Sequence, residues 1–373
     1  MKAQVVEKNG FPRPLGILLI LIILSILCFP VAIFSQYSDQ DSEYCDKEEV
    51  LEVNRPELFS NDEIMSVTIA TDLNTLVCDI GDTTEYHKAI LSYILPGEDT
   101  VSLNVSIKTR GNFRKDRNNC DFPPLCIKFS KKEVKNTIFE GQDKIKLVTH
   151  CRTGESEYEQ FLFQEYLIYK LYNLLTPYSF RVRLLDVNYV DIWDPRHSVN
   201  SYAFMIERPK HMASRNGGEI RNVINLSSEE VELHNYTLLS LFQYMIINND
   251  WSVTLLHNVK LISIDTAMPS IPVPYDFDWA GIVNAPYRFS ADSEKDFMTD
   301  RDFKGKCETL DELSFFLNYM KSKSREIYDL YMNSGLLNRK HEAITLQVLN
   351  DFYNIINHPE SYKDEFLDTG DSK

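Results

Sequence analysis

The sequence has no excess of positive charge, no glycine-rich tract and no cysteine spacing typical of a zinc site. Its 373 residues contain 39 Lys and Arg against 55 Asp and Glu, which gives a net charge of −16. Nucleic-acid-binding surfaces need a basic stripe, so this balance argues against a nucleic-acid partner. The pair Gly217-Gly218 lies in the wrong place for a glycine-rich phosphate loop, and no internal repeat is present.

The N-terminal residues give the clearest indication of where the protein is located. Lys2, Lys8 and Arg13 precede an apolar run over residues 15–34, and Ser35 follows that run directly. A basic segment, an apolar core and small residues at the exit are typical of a secretory signal peptide. The run is also long enough to remain as an uncleaved membrane anchor. Both alternatives predict an exported protein that is periplasmic, on the cell surface or secreted.

Cysteine usage agrees with export. Cys28 lies in the leader, and six cysteines remain, enough for up to three disulfides in an oxidising compartment. Their pairing cannot be deduced from one sequence. Cys120 and Cys126 are near enough along the chain to staple the loop between them.

Hydrophobic periodicity predicts an α+β protein with an antiparallel, β-rich N-terminal lobe and a helical C-terminal lobe. Short alternating runs predict strands at residues 65–73, 88–95, 101–110, 125–131, 143–150, 180–189, 202–207 and 259–264. Longer apolar stripes predict helices at 156–175, 228–247, 310–332 and 340–356, the second starting near a Ser227-x-x-Glu230 capping box. The predicted divisions are a signal peptide or anchor (1–35), an acidic linker (36–60), the β-rich lobe with one helix (61–210), the helical catalytic lobe (211–360) and a polar tail (361–373).

Polar residues that could act in catalysis or bind a metal cluster between Asn248 and Gly281. Asp250 follows the apolar run of a predicted helix, Asn258 precedes a strand, and Asp276 and Asp278 flank one phenylalanine. Phosphoryl transfer needs a carboxylate for the acceptor proton and oxygen ligands for Mg²⁺, which one or two carboxylates and an amide can supply. The alternative is that these side chains only cap turns.

A second group lies earlier in the chain. Lys146 falls on one face of a predicted strand, and Glu165 falls on the apolar stripe of the following helix. A carboxylate among apolar side chains needs a partner, and a Lys146–Glu165 pair would hold nucleotide phosphates; the alternative places Glu165 at a half-exposed rim. Arg110 and Arg114 are candidates for phosphate contacts, and for Arg114 a salt bridge with an acidic neighbour is favoured.

Residues 101–281 resemble the CotH family of spore-coat and secreted atypical kinases. The likeness is carried by residues 109–131 (TRGNFRK…), 144–171 (KIKLVTH…), 187–209 (VNYVDIW…) and 248–281 (NNDWSVTLLHNVKL…PVPYDFDWAG). The resemblance implies a protein-kinase-like two-lobe fold that uses ATP with Mg or Mn to phosphorylate a protein or peptide acceptor. It implies catalytic roles for Asp250, Lys146 and Glu165, nucleotide contacts from Lys146 and Arg110, and metal ligation by Asp276, Asp278 and Asn258.

One departure concerns the amide ligand. The family places an Asn soon after the catalytic Asp, whereas Asn258 follows an apolar insert, so Ser252 or His257 is an alternative occupant of that position. Two rival functions therefore stay open. One is a non-catalytic envelope protein of the same fold, and the other is a metal-dependent phosphohydrolase with His257 as base.

Overall fold

The computed structural model describes residues 57–81, 83–288, 301–305, 307 and 309–367. The predicted leader and most of the acidic linker lie outside them. The strands are β1 Met65–Thr71, β2 His87–Tyr93, β3 Val101–Thr109, β4 Leu125–Phe129, β5 Lys144–Val148, β6 Val182–Asp191, β7 Val199–Ile206, β8 Glu219–Arg221, β9 Val259–Ser263 and β10 Ile271–Pro274. The helices are α1 Leu73–Cys78, α2 Ser156–Leu175, α3 Pro209–Arg215, α4 Leu233–Met245, α5 Leu310–Met332, α6 Arg339–Asn357 and α7 Pro359–Phe366. Among the described residues, none of these helices combines the length and apolarity needed to cross a bilayer.

Seven strands close into a barrel in the order β1-β2-β3-β4-β5-β7-β6. Alternate residues of each strand point inward, and Ile69, Leu91, Ile107, Ile127 and Leu147 are fully buried in one core. The α+β class and the β-rich N-terminal part are confirmed. The expectation of purely antiparallel pairing is wrong at one seam, because β1 pairs with β6 in parallel. Closure removes the exposed sheet edges that a flat sheet would leave.

Helix α2 carries a charge into the interior. It spans the predicted residues and packs against α5 and strand β7. Its buried side chains include Phe161, Leu162, Ile168 and Leu171, and among them Glu165 is only 1% exposed. A carboxylate buried this deeply needs a compensating cation or a proton.

The C-terminal part is built from helices around a three-stranded sheet in the order β10-β9-β8. Helix α4 is buried almost throughout, with Leu239, Leu241 and Phe242 fully inaccessible, so it is a central helix rather than a surface one. It contacts β10 and α6. This arrangement sets the end of α4 beside the end of β10.

The start of α4 differs from the prediction. The Ser227-x-x-Glu230 box forms, with the Glu230 carboxylate accepting from the Ser227 N–H at 3.1 Å, but it caps a short 3₁₀ turn at Ser228–Glu230. The α-helix begins at Leu233, where the Glu232 carboxylate accepts the free N–H groups of the first turn. The helix therefore starts later than the box indicates.

The chain after His358 also differs from the expected polar tail. Residues Pro359–Phe366 form α7, which begins with a proline at its first position. Phe366 is 2% exposed and packs edge-on against Tyr244 and Phe303, with ring centroids 4.9 Å apart in both pairs. One aromatic side chain thus anchors an otherwise polar helix.

Candidate active site

Two loops meet at the C-terminal ends of α4 and β10. The Gly281 N–H donates to the Ile247 carbonyl at 2.8 Å, and the Tyr275 N–H donates to the Asn258 carbonyl at 2.9 Å. A Cβ on Gly281 would lie 2.7 Å from the Ile247 Cβ, so only glycine permits this approach. These contacts bring the loop of Asp250 against the loop of Asp276 and Asp278.

Asp250 is oriented by two neighbours. Its Oδ1 lies 2.7 Å from His257 Nε2, and its Oδ2 accepts from Asn258 Nδ2 at 3.0 Å. Asn258 also donates to the Asp250 backbone carbonyl at 2.8 Å from a left-handed conformation (φ +52°), which asparagine tolerates. The Asp250 side chain remains 42% exposed. It is a held carboxylate that a solvent-borne hydroxyl can reach.

Asp278 lies deeper than Asp250, and the half-buried Asp276 is anchored to α2. The Asp276 N–H donates to the Tyr169 hydroxyl of α2 at 2.9 Å, which ties this loop to the helix that carries Glu165. Asp278 is 8% exposed, and burial raises its pKa to about 7, with the Asp276 charge adding to the rise and Arg114 opposing it. Asp250 also raises the pKa of Asp278. The carboxylates are therefore close enough to interact electrostatically.

Glu165 pairs with Arg114 and not with Lys146. Arg114 Nη1 lies 3.5 Å from Glu165 Oε2, and Arg114 Nη2 donates to the Thr149 carbonyl at 2.8 Å. The predicted Lys146–Glu165 pair is wrong, as is the rim alternative, whereas the favoured salt bridge of Arg114 is confirmed. Burial raises the pKa of Glu165 well above its usual range, Asp278 raises it further, and Arg114 opposes both.

A disulfide holds the Arg114 loop in place. Cys120 is bonded to Cys151, which follows β5 with φ +66°. The expected Cys120–Cys126 staple is wrong, because Cys126 belongs to β4 and lies opposite Lys146 in the β4–β5 register. Cys126, Cys78 and Cys307 are free thiols. A disulfide is typical of proteins in oxidising compartments.

Three cations lie near one another: Lys146 and Lys260 line a cavity of about 220 Å³, which Lys144 and Arg208 also line, and Arg110 is near enough to act on the Lys146 charge. Lys146 Nζ and Lys260 Nζ lie 5.2 Å and 5.3 Å from the centroid of the Tyr275 ring, and both lysines line the cavity. Burial lowers the pKa of Lys146 to about 8, and the charges of Arg110 and Lys260 lower it further. Within the described residues, no carboxylate oxygen lies within 4.0 Å of a side-chain nitrogen of Lys146, Lys260 or Arg110, so none of the three forms an ion pair. Clustered cations without acidic partners indicate an anion site.

The remaining lining of this cavity is mostly apolar. Ile145, Phe180, Ile206 and Pro209 contribute hydrophobic surface, and Glu207 follows the end of β7. A cavity with apolar walls and cations on one side suits a ligand with a flat apolar part and a phosphate chain.

The donor set fits Mg²⁺ or Mn²⁺ only in part. Asn258 Nδ2 is engaged by Asp250, and in the described part of the chain its Oδ1 accepts no hydrogen bond. Asp276, Asp278 and this oxygen are hard ligands of the kind Mg²⁺ prefers. No group of three His, Cys, Asp or Glu side chains positioned to hold a metal occurs among the described residues. A bound cation would therefore complete its shell with phosphate oxygens and water.

Lys260 and Tyr275 are the candidate residues that the sequence pattern did not single out. Lys260 is the second residue of β9, directly after the turn that ends at Asn258. A lysine within the apolar run VKLISI was the available signal. Its importance depends on Tyr275, whose ring contacts both Lys260 and Lys146.

Comparison with known proteins adds one structural likeness. No protein-family model matches the chain, and no curated protein does. A crystal structure of the Golgi casein kinase with Mn/ADP bound aligns with 82% of this chain and 76% of its own, at a TM-score of 0.32 and 9% sequence identity. A TM-score of 0.32 is too low to carry a fold or a function over to this chain.

Proposed function

We propose that this protein is an exported, CotH-like atypical kinase that transfers a phosphoryl group from ATP to a protein acceptor with Mg or Mn. The observation that carries the proposal is the meeting of two opposite clusters. Lys146, Lys260 and Arg110 form no ion pair with a carboxylate within the described residues, while Asp276 acts on the Lys146 charge and repels Asp278. A metal-bound polyphosphate is a ligand that satisfies both clusters at once.

The side chains then have defined tasks. The acceptor oxygen forms a bond to the γ-phosphorus, the bond from that phosphorus to the β,γ-bridging oxygen breaks, and ADP leaves with the electron pair. Asp250 takes the proton of the acceptor hydroxyl, and His257 and Asn258 keep its carboxylate oriented for this. Lys146 and Arg110 neutralise phosphate charge.

The metal would be held by Asp276, Asp278 and the Asn258 amide oxygen. When bound, it would screen the negative charge of the phosphates and offset the repulsion between the two aspartates. Glu165 acts on this region through Arg114, so its role is to position that guanidinium rather than to hold Lys146.

The exported location rests on two observations that agree. The predicted leader over residues 1–35 would send the chain out of the cytoplasm, as a secreted or anchored protein. The Cys120–Cys151 disulfide suits the oxidising environment reached in that way.

A metal-dependent phosphohydrolase is the second candidate, favoured by one specific contact. His257 Nε2 lies 2.7 Å from Asp250 Oδ1, and both side chains are about half exposed. A histidine oriented by a carboxylate is a general base for water. In that function water, not a protein hydroxyl, would receive the phosphoryl group.

Labelling with γ-phosphate-labelled ATP separates these functions. The full chain is incubated with Mg²⁺ or Mn²⁺ and a mixed protein acceptor, beside Asp250→Ala, Asp276→Ala and the exposed-surface control Asp265→Ala. We expect labelling by wild type and the control, and a loss of at least about a thousandfold in the two site variants, since positioning and electrostatics supply most of the rate.

Equal labelling by all four proteins would reject the kinase. Phosphate release from p-nitrophenyl phosphate that needs His257, without labelling of any acceptor, would support the hydrolase. A rise in Tm with ATP and metal, without transfer or hydrolysis, would identify a binding protein that does not turn over.

A further inference from the structure

A second cavity, of about 330 Å³, includes the residue after Asp250 in its wall. Trp251 lines it together with Leu226, Val231 and Tyr236. Trp251 is 3% exposed, and its Nε1 has no hydrogen-bond partner in the described part of the chain. That N–H has almost no solvent-accessible surface and is out of a ligand's reach, so Trp251 contributes to the cavity as part of an apolar wall with Leu226 and Val231.

The ammonium and hydroxyl groups that line this cavity are already engaged. None of its lining residues is acidic, and its one cation is Lys304, whose Nζ donates to the Asn249 carbonyl at 3.0 Å and the Trp251 carbonyl at 3.1 Å. Ser252 Oγ and Thr254 Oγ1 lie 3.1 Å apart, and Ser227 Oγ donates to a carboxylate outside the cavity. An apolar, uncharged side chain therefore fits, and a sugar finds few free partners.

Exposed apolar residues continue from the mouth of this cavity. Leu233, at the first position of α4, is 49% exposed and lines the cavity. Ile224 and Leu255 are 60% and 66% exposed, and the Asn225 N–H donates to the Thr254 carbonyl at 2.7 Å, which joins their two segments. A contiguous apolar surface on a protein exported into water is typical of a binding site.

The same turn builds the cavity and holds Asp250. Ser252 and His257 exchange backbone hydrogen bonds, both 2.9 Å long, so residues 252–257 form one closed turn. Ser252 and Thr254 face the cavity, and His257 contacts the Asp250 carboxylate. A molecule seated in the cavity therefore contacts the same turn that orients the Asp250 carboxylate.

We propose that this cavity binds an apolar side chain of the peptide acceptor, close to the hydroxyl that Asp250 serves. The assignment rests on the proposed kinase function and deepens it by naming the substrate class. A peptide supplies both features that the site requires: an uncharged apolar side chain for the cavity, and a nearby hydroxyl for Asp250. The acceptor sequence is then one with Phe, Leu or a similar residue near its Ser or Thr.

The test is peptide binding by the full chain without nucleotide or metal. Fluorescein-labelled nonapeptides carry a central Ser in an Ala/Gly background, with Phe moved through the other positions, and anisotropy reports Kd. We expect one Phe position to bind at least about tenfold tighter than Glu or Lys there, which is within the range of discrimination by apolar pockets. Equal Kd values for Phe, Glu and Lys peptides, or displacement by maltohexaose as effective as by unlabelled Phe peptide, would overturn the assignment.

Two surface variants make the test specific. Leu233→Glu places a charge at the cavity mouth, and an acidic side chain in a first helical turn is tolerated by the helix dipole. Ile90→Glu is the matched control, since Ile90 is 48% exposed on strand β2 of the barrel. We expect Leu233→Glu to weaken the Phe peptide at least about tenfold and Ile90→Glu to leave it unchanged. Unchanged binding in Leu233→Glu, with its circular dichroism melt intact, contradicts the proposal.

The experiments distinguish failure of the peptide-binding proposal from failure of the kinase proposal. Selective Phe-peptide binding without any labelling would leave the cavity assigned and reject the kinase. Labelling of acceptors that is indifferent to Phe and to Leu233→Glu would retain the kinase and reject the peptide pocket.

Discussion

The acidic side chains of the candidate site occupy two contrasting environments. Asp250 is 42% exposed and is held by His257 and Asn258. Asp278 and Glu165 are 8% and 1% exposed, and burial raises the pKa of both carboxyls. The first environment leaves a carboxylate within reach of solvent, while the second disfavours the charged form of its carboxyl groups.

The buried carboxyl groups, Asp278 and Glu165, lower the stability of the folded protein. Buried ion pairs rarely recover the full cost of desolvation, so an apolar replacement of similar volume is often as stable. Here one guanidinium, Arg114, interacts with three carboxylates, Asp278, Glu165 and Asp276, and Glu165 Oε1 has no hydrogen-bond partner among the described residues. A fold that retains such a cluster beside an anion cavity is typical of a functional site. The first two predictions test this half of the comparison, and the last two test the cationic side it faces.

Removing Arg114 should have the largest effect on stability. Arg114→Met keeps much of the volume but leaves Glu165 and Asp278 buried without their cation. We expect the free energy of unfolding to fall by about 3–5 kcal/mol, the cost of breaking a buried ion pair from one side. Denaturant unfolding of the full chain measures it.

The exposed pair supplies the matched control. Arg196 is 87% exposed and pairs with Asp194 at 2.7 Å, so Arg196→Met should change the unfolding free energy by less than about 1 kcal/mol. Adding Glu165→Gln to Arg114→Met should recover part of the loss. Similar losses in the Arg114 and Arg196 variants would mean that the buried cluster is no costlier than a surface pair.

Asp278→Asn should stabilise the protein, and the gain should depend on pH. The pKa of Asp278 is raised from 3.8 to about 7, so its contribution favours the folded state below pH 3.8 and is lost as pH rises to about 7. We expect a gain on the order of 2 kcal/mol at pH 8, because a tenfold change in acidity corresponds to about 1.4 kcal/mol and part of the rise is shared with Asp276. The gain should disappear near pH 4.

Melting curves from pH 4 to pH 8 measure this gain, with the exposed Asp265→Asn as control. A stabilisation of Asp278→Asn that is equal at pH 4 and pH 8 would show that the effect is not electrostatic.

Local sequence predicted most of the helices and strands but did not predict which side chains of the site pair with each other. Helices α2 and α5 begin and end at the predicted residues because apolar periodicity marks them within their own segments, and α5 is also capped by Thr309. The parallel β1–β6 seam leaves no such mark, since a half-buried strand alternates in the same way in either orientation.

The missed pairs have the same physical origin. Strand periodicity and helix periodicity bring Lys146 and Glu165 to facing elements, but neither periodicity includes the loop that delivers Arg114. That loop is set by the Cys120–Cys151 disulfide, and chain proximity alone favours Cys126 as the partner of Cys120. Asp250, Asp276 and Asp278 could be singled out from the sequence because each lies within a few residues of the end of a regular element, α4 or β10.

Nucleotide affinity should decline above pH 8 through Lys146. The folded pKa of about 8 means that the unliganded ammonium loses its proton in that range, and phosphate binding requires the charged form. We expect Kd for ADP with Mn²⁺ to rise about tenfold between pH 7 and pH 9, following the protonated fraction. Isothermal titration calorimetry measures it.

Lys146→Arg is the informative variant, because a guanidinium stays charged over this range. Its affinity should be nearly constant from pH 7 to pH 9. A wild-type affinity that is equally flat would show that Lys146 does not contact the phosphates.

Lys260→Ala should have the smallest effect and the most discriminating one, because it acts in two directions. The loss of a phosphate contact should weaken ADP–Mn²⁺ binding at pH 7 by about threefold, the scale of one partly exposed charge contact. The loss of a like charge beside Lys146 should also move the pH at which affinity declines upward, since Lys260 is one cause of the lowered pKa of Lys146. Lys144→Ala is the control, because Lys144 lines the same cavity but does not lower the pKa of Lys146. A weaker affinity with an unshifted pH midpoint would place Lys260 on the ligand but electrostatically apart from Lys146, and the three cations would then not act as one anion site.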